Sequence, residues 1–145
     1  MIKIRRATKK DIPKIGDLIK EEFNKPPYLD GWTDNSVKRT LENYFKIGYG
    51  FIAFAKGEII GAVIIRDDPY AKGLYLAIEE LVVKKEFQKQ GIGKGLIEAV
   101  EKVAKSKKAH SVYLYTHRKS GAFKFYKKLG YKESKNMATL GKKLK

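Results

Sequence analysis

The passage from Leu74 to Ala104 constrains this chain more than any other. A nearly unbroken apolar run, LYLAIEELVV (Leu74–Val83), leads into EFQKQGIGKG (Glu86–Gly95), with glycines at 91, 93 and 95. Ile92, Leu96, Ile97, Val100, Val103 and Ala104 then recur at a 3.6-residue period. The run reads as a buried strand and the stripe as one face of a helix. Each glycine weakens a helix by up to about 1 kcal/mol relative to alanine, so helix stability did not select them. A loop between a strand and a helix presents free backbone N–H groups and the positive helix end, a setting that suits phosphate. A tight turn without a ligand is the plainer reading of the same residues.

The flanking segments define the class. IKIRRA (Ile2–Ala7) alternates as a strand, Thr8 and Asp11 form a helix-start signature, and Ile12, Ile15, Leu18, Ile19 and Phe23 predict a helix to about Asn24. A turn-rich loop, Asn24–Ser36, carries Tyr28 and Trp32, and Val37, Leu41, Tyr44 and Phe45 predict a second helix. Phe51–Asp67 reads as a hairpin about Lys56-Gly57, Ser111–Thr116 as a strand, and Ser120–Gly130 as a short helix stopped by Gly130. The end, YKESKNMATLGKKL, fits a last hairpin. The expected order is βααβββαβαββ, an α/β fold with a mixed, mostly antiparallel central sheet flanked by helices, in a single domain over residues 1–145.

Charge is distributed unevenly. Residues 1–83 hold 14 Lys and Arg against 12 Asp and Glu, whereas residues 84–145 hold 18 against 4, so the net charge of +16 lies almost wholly in the second part. Such a field attracts a polyanion, either a nucleic acid or a phosphate-bearing cofactor; a lysine-coated surface gives the same composition. The absence of cysteine excludes disulfides, thiolate metal sites and a cysteine nucleophile. His110 and His117 do not suggest a metal site. Without a signal-like start or a membrane-length apolar run, a cytoplasmic protein with no membrane contact is expected.

Two common phosphate loops do not fit. A P-loop needs Ser or Thr after its lysine, but Lys94 is followed by Gly95. A dinucleotide loop needs a third glycine where Leu96 stands and an acid after the next strand, yet Ala109–Lys119 contains none. Gln88-Lys89-Gln90-Gly91-Ile92-Gly93 after a long strand, followed by Ala122 to Tyr131 (AFKFYKKLGY), closely resembles the two signature motifs of the Gcn5-related N-acetyltransferases. The resemblance implies that fold, acetyl-coenzyme A as cofactor, and transfer of its acetyl group to a primary amine. It puts the pyrophosphate on Gln88, Lys89, Gln90, Gly91, Ile92, Gly93 and Lys94, and the pantetheine arm along Leu81, Val82 and Val83. An asparagine usual in the family is replaced by Lys119, so Lys119 or Ser120 is expected to touch the cofactor arm instead.

Such a transfer requires a neutral amine, and an alkylammonium has a pKa of about 10, so the site must accept a proton. Glu79 is the expected base and Glu80 a substrate contact or second candidate; strict strand alternation would aim them at opposite faces of the sheet. Structural carboxylates paired with lysines are the bland alternative. Tyr126, at the family's tyrosine position, is the expected acid for the departing thiolate, with backbone N–H groups near Leu81–Val83 facing the developing oxyanion.

Tyr28, Asp30, Trp32, Asp34, Asp67 and Asp68 are the candidate acceptor contacts, suited to a cationic small molecule or a protein amine. Helix capping and core packing would also account for them. A basic nucleic-acid-binding module is the rival from another class, drawn from Tyr113, Tyr115, His117, Arg118 and Lys119. It is disfavoured because the two tyrosines would share one face of a central strand. A coenzyme A-binding pseudoenzyme is a third reading, and a homodimer is compatible with the family.

Overall fold

The computed structural model describes residues 1–145. The chain divides into two compact units, Met1–Tyr115 and Thr116–Lys145. The first is built on a five-stranded sheet: β1 (Lys3–Arg6), β2 (Gly48–Ala55), β3 (Glu58–Tyr70), β4 (Gly73–Val83) and β5 (Ser111–Leu114), in spatial order β1-β2-β3-β4-β5. The first four strands run antiparallel, and β5 lies parallel to β4. Helices α1 (Ile12–Phe23) and α2 (Asp34–Ile47) precede β2, and α3 (Ile92–Ser106) links β4 to β5. A parallel neighbour requires such a crossover, and the apolar stripe of α3 supplies it.

The two sheet faces bury different helices. Ile15, Leu18, Ile19, Val37 and Leu41 of α1 and α2 pack with Ile52, Ala62, Ile64 and Val82 in one core cluster. On the other face Ile92, Leu96, Ile97, Val100 and Ala104 of α3 are buried, and Leu96 and Ile92 come within 3.2 and 3.3 Å of where Gly61 would carry a Cβ. The helical and strand periodicities thus translate directly into burial; fully burying one such aliphatic side chain contributes about 1.5–3 kcal/mol.

In the second unit, Ser120 caps α4 (Gly121–Lys128), its Oγ accepting from the Phe123 N–H at 3.4 Å. No strand follows α4, so the expected last hairpin is absent. Its apolar residues Met137, Leu140 and Leu144 are three and four positions apart rather than two, so no strand face forms, and all three are exposed. Without that hairpin β5 is an edge strand, which corrects the expectation of a central one. No helix is long and apolar enough to cross a membrane.

The start of α1 is set by charge. The Asp11 carboxylate accepts from Arg5 Nη1 and Nη2 at 2.9 and 3.0 Å and from the Thr8 N–H at 2.8 Å. The Arg5 hydrogen bonds hold its carboxyl below the usual range, against the opposing effect of burial. Asp11→Ala is expected to cost about 2 kcal/mol at neutral pH, as removal of a charge-assisted cap. Because the folded pKa is depressed, that difference should be complete above about pH 5 and fade as pH falls through the folded value, which urea unfolding at a series of pH values measures.

Candidate active site

The loop between β4 and α3 is tied to its own backbone. The Gln88 side-chain amide donates to the Val83 carbonyl at 2.9 Å, and that of Gln90 to the Glu86 carbonyl at 3.2 Å. Gly91 is the N-cap of α3 at φ +84°, a left-handed conformation that penalises any side chain, and it offers no cap of its own. The first bond into the helix runs from the Gly95 N–H to the Gly91 carbonyl at 3.0 Å, so the N–H groups of Ile92, Gly93 and Lys94 point out of the helix end. Lys89 and Lys94 stand beside them. Gly95 serves a different purpose: a Cβ there would lie 3.0 Å from Ile4 Cδ1, so its smallness lets α3 approach β1.

The strand before this loop is open along one edge. β5 pairs with β4 only from Tyr75 to Ile78. From Glu79 to Val83, including Leu81 and Val82, β4 has a strand neighbour on the β3 side alone. Backbone groups on that edge have no strand partner; at its end the Val83 carbonyl is met by Gln88. An extended arm carrying amide groups could add along it as a strand would.

The β3–β4 ladder slips at Glu79. Ile64 pairs with Glu80 and Ile65 with Ile78, so Glu79 is the extra residue of a bulge. Bulges break alternation and re-aim side chains. Glu80 lies opposite Ile64, a member of the α1–α2 core cluster, and Glu79 Oε1 accepts from Arg66 Nε at 2.6 Å, two residues farther along the same face of β3. Both carboxylates therefore open toward the α2 side, not to opposite faces.

Their environments differ. Glu79 is ion-paired, and Arg66 is held further by Asp68 at 3.4 Å and by the Tyr113 hydroxyl at 3.5 Å. Burial opposes the Arg66 charge, but Glu79 and Tyr113 raise its pKa overall. Half-buried Glu80 has no cation partner; burial first, then the charges of Asp30 and Glu79, push its carboxyl up to about 7, against a hydrogen bond from Tyr44. Tyr44, on α2, is pushed up to about 12 by burial and by Glu80 and Glu79, so at neutral pH its phenol keeps its proton and can donate it as a hydrogen bond. Sequence reasoning passed over Arg66 and had placed Tyr44 only on a core stripe. A lone arginine ending an apolar strand was the available signal.

The loop before α2 is organised by Asn24, whose side chain donates to the Trp32 carbonyl at 2.9 Å and accepts from the Trp32 N–H at 2.6 Å. Trp32 Nε1 donates to Asp30 at 3.2 Å, and the indole packs against the α1–α2 core. Asp30 is thus oriented where its charge reaches Glu80. Tyr28 lies edge-on to Phe23 at 5.0 Å, and Asp34 is paired with Lys20. Trp32 and Asp34 line an open recess of about 510 Å³ with Lys20 and Asn24; neither Glu79 nor Glu80 borders it. Asp67 does not join these residues: it bonds Lys107 Nζ at 2.8 Å and the Tyr49 hydroxyl at 2.7 Å, on the α3 side of the sheet, whereas Asp68 accepts from Tyr113 at 2.5 Å on the α2 side.

In the second unit the Ser120 hydroxyl is spent on the α4 cap and on donation to the His117 carbonyl at 2.7 Å, and the residue is buried. Exposed Lys119 is the more available of the two expected arm contacts. Tyr126 is 6% exposed and stacks edge-on with Phe125 and Tyr131 at 5.1 and 5.4 Å.

The Glu80 environment has a stability signature. In the unfolded chain this carboxyl ionises near its ordinary 4.5, whereas the folded chain keeps its proton to about 7, so stability falls as pH rises across that window. Glu80→Gln should be more stable than the parent at pH 8 by on the order of 1–3 kcal/mol, with the upper figure reduced by solvent contact, and by little at pH 4.5. Urea unfolding at both pH values measures this, and an equal difference at both would contradict it.

Comparison with known proteins accords with this geometry. The model of the acetyltransferase (GNAT) family matches residues 15–131. An uncharacterised N-acetyltransferase of Chlorobaculum tepidum is 35% identical over 98 residues, 67% of this chain and 59% of that protein, so the chain spans less than two thirds of that relative's length. A transcriptional regulator from Bacillus halodurans C-125 superimposes with a TM-score of 0.80 at 22% identity, covering 97% of this chain and 99% of that one. A predicted acetyltransferase from Clostridium acetobutylicum, solved with acetyl-CoA, does so with a TM-score of 0.77 at 20% identity, covering 97% and 96%. At such identities the two structures bear on the fold alone. A family match over most of the chain, on the strand, loop and helix that form the open edge and the uncapped helix end, shows that this chain belongs to the GNAT acetyltransferase family.

Proposed function

We propose that the chain is an acetyl-CoA-dependent N-acetyltransferase that acetylates a cationic primary amine by direct attack, with Glu80 as the general base. The observation that carries this reading is Glu80 itself, a half-buried carboxylate with no cation partner, raised to about 7, beside the open edge of β4. A group that ionises near neutrality is a competent proton acceptor at working pH. This departs from the expectation of Glu79 as base and takes up the second candidate, because Glu79 is occupied by Arg66.

The residues present fit the cofactor. The outward N–H groups of Ile92, Gly93 and Lys94, with Lys89 and Lys94, would hold its pyrophosphate, and the free edge at Leu81–Val83 would hold its arm. Acetyl-CoA supplies the activated acyl group as a thioester. Free N–H groups on the same β4 edge would meet the charge that develops on the carbonyl oxygen. Tyr126, by its place in the second motif, would return a proton to sulfur. That transfer is uphill by about 1.5 pKa units in water, about 2 kcal/mol, a modest part of an enzymatic barrier.

The acceptor is a cation because Asp30, Glu79 and Glu80 gather on one side of the sheet with Arg66 offsetting one of them. Within a chain of net charge +16 this is a negative island, and Trp32 both orients Asp30 and offers a ring face. A polyamine, an aminosugar and a lysine side chain all meet this description.

The full chain incubated with acetyl-CoA and a panel of such amines should release free thiol and yield N-acetylated product by mass. Neutral alcohols should give neither, and Tyr126→Phe should slow turnover on the order of tenfold or more. No thiol release above hydrolysis with any amine would overturn the reading. So would thermal stabilisation by short duplex DNA, steeply reduced by salt, in the absence of any stabilisation by acetyl-CoA.

A further inference from the structure

We propose that Arg66 is a positioning residue of this site: clamped by Asp68 and Tyr113, its guanidinium holds Glu79 as an ion-paired bystander and leaves Glu80 as the sole proton acceptor. The inference rests on the N-acetyltransferase reading for its meaning in the reaction, and on the geometry of β3, β4 and β5 for everything else.

All three guanidinium nitrogens are used. Nε bonds Glu79 Oε1 at 2.6 Å, Nη1 lies 3.4 Å from Asp68 Oδ1, and Nη2 lies 3.5 Å from the Tyr113 hydroxyl. Tyr113 closes the ring by donating to Asp68 Oδ2 at 2.5 Å. The cation is thus fixed from β3 and β5 at once, and its Nε side is presented to the bulged residue of β4. A lysine at this position would carry the charge but not the three-way anchoring, because its ammonium is a single point on a flexible stem.

The consequence falls on Glu80. Two adjacent carboxylates on one sheet face repel, and each added proton eases the other. With Glu79 neutralised by Arg66, an incoming amine meets one carboxylate whose charge is already satisfied and another whose charge is not. The groups facing Glu80 are Tyr44 from α2, Asp30 from the loop before it, Glu79 on its own strand, and Arg66 from β3 acting through Glu79. Removing the Arg66 charge strengthens the field of Glu79 at Glu80, whereas removing the Glu79 charge weakens it.

The test is a pH titration of the Glu80 side-chain carboxyl by carbon-13 NMR on the full chain, in the parent, Arg66→Gln, Arg66→Lys and Glu79→Gln. The Glu80 midpoint should rise by about half a pH unit or more in Arg66→Gln and fall by a similar amount in Glu79→Gln, with Arg66→Lys between the parent and Arg66→Gln. Where an acceptor has been found, the acid limb of kcat/KM should move with the midpoint in each variant. A merely structural arginine would leave the midpoint unmoved, and a shift below about 0.2 unit in Arg66→Gln, or a rise in Glu79→Gln, overturns the proposal. Should Arg66→Gln fail to fold, Arg66→Met, which keeps the apolar stem and removes the charge, decides by the same rise or its absence. The titration needs neither cofactor nor acceptor, so failure of the transferase reading shows only in the amine panel and is not confused with failure of this one.

Discussion

Along β3 and β4 the ladder runs in register from Gly61 opposite Val83 to Ile64 opposite Glu80, then slips by one residue and resumes at Ile65 opposite Ile78. That slip is the constraint on which the site depends. It brings Glu79 to the face that Glu80 already occupies, within bonding distance of Arg66, and it falls where β5 stops pairing with β4. One unpaired residue therefore coincides with both openings of the site: a strand edge able to receive an extended arm, and a pair of carboxylates beside it. An uninterrupted ladder would leave Glu79 on the α3 face, where Leu96, Ile97 and Val100 are packed, and away from Arg66.

The two carboxylates divide by what surrounds them rather than by their residue type. Arg66, anchored from two strands, satisfies Glu79; nothing of opposite charge satisfies Glu80, and Tyr44 offers it only a neutral hydrogen bond. The loop before α2 adds to this from outside the sheet, since Asn24 fixes Trp32 and Trp32 fixes Asp30. On the opposite side of the strand's end, α3 begins with outward N–H groups in the half of the sequence that carries the excess of lysine. Acidic groups along β4 and outward N–H groups at the start of α3 thus belong to one strand-to-helix unit, as the proposed cationic acceptor and anionic cofactor require.

Much of this was legible before the structure. Each helix stripe became a buried face, the hairpin at Lys56-Gly57 formed with both residues at positive φ, and the glycine run became the expected loop between strand and helix, with Gly91 at its end in a left-handed conformation. These features are local, so each leaves its mark on a few neighbouring residues. The bulge is not local. Which residue of β4 goes unpaired depends on the register with β3, and a one-residue slip changes the face of a side chain without changing any periodicity in the sequence. For the same reason Asp67 and Asp68 could not be told apart by sequence, although they end on opposite faces and in different networks. The expected last hairpin did not form, because the apolar spacing of its residues does not support strands.

The central claim is that Glu80, not Glu79, takes the proton from the amine. The most direct measurement is the pH dependence of kcat/KM for acetyl transfer in the parent, Glu80→Gln and Glu79→Gln. An acid limb near pH 7 is expected in the parent; it should persist in Glu79→Gln, moved down by about half a pH unit, and be lost in Glu80→Gln, whose rate at pH 8 should be lower by on the order of a hundredfold. An acid limb that survives in Glu80→Gln and disappears in Glu79→Gln would contradict the claim.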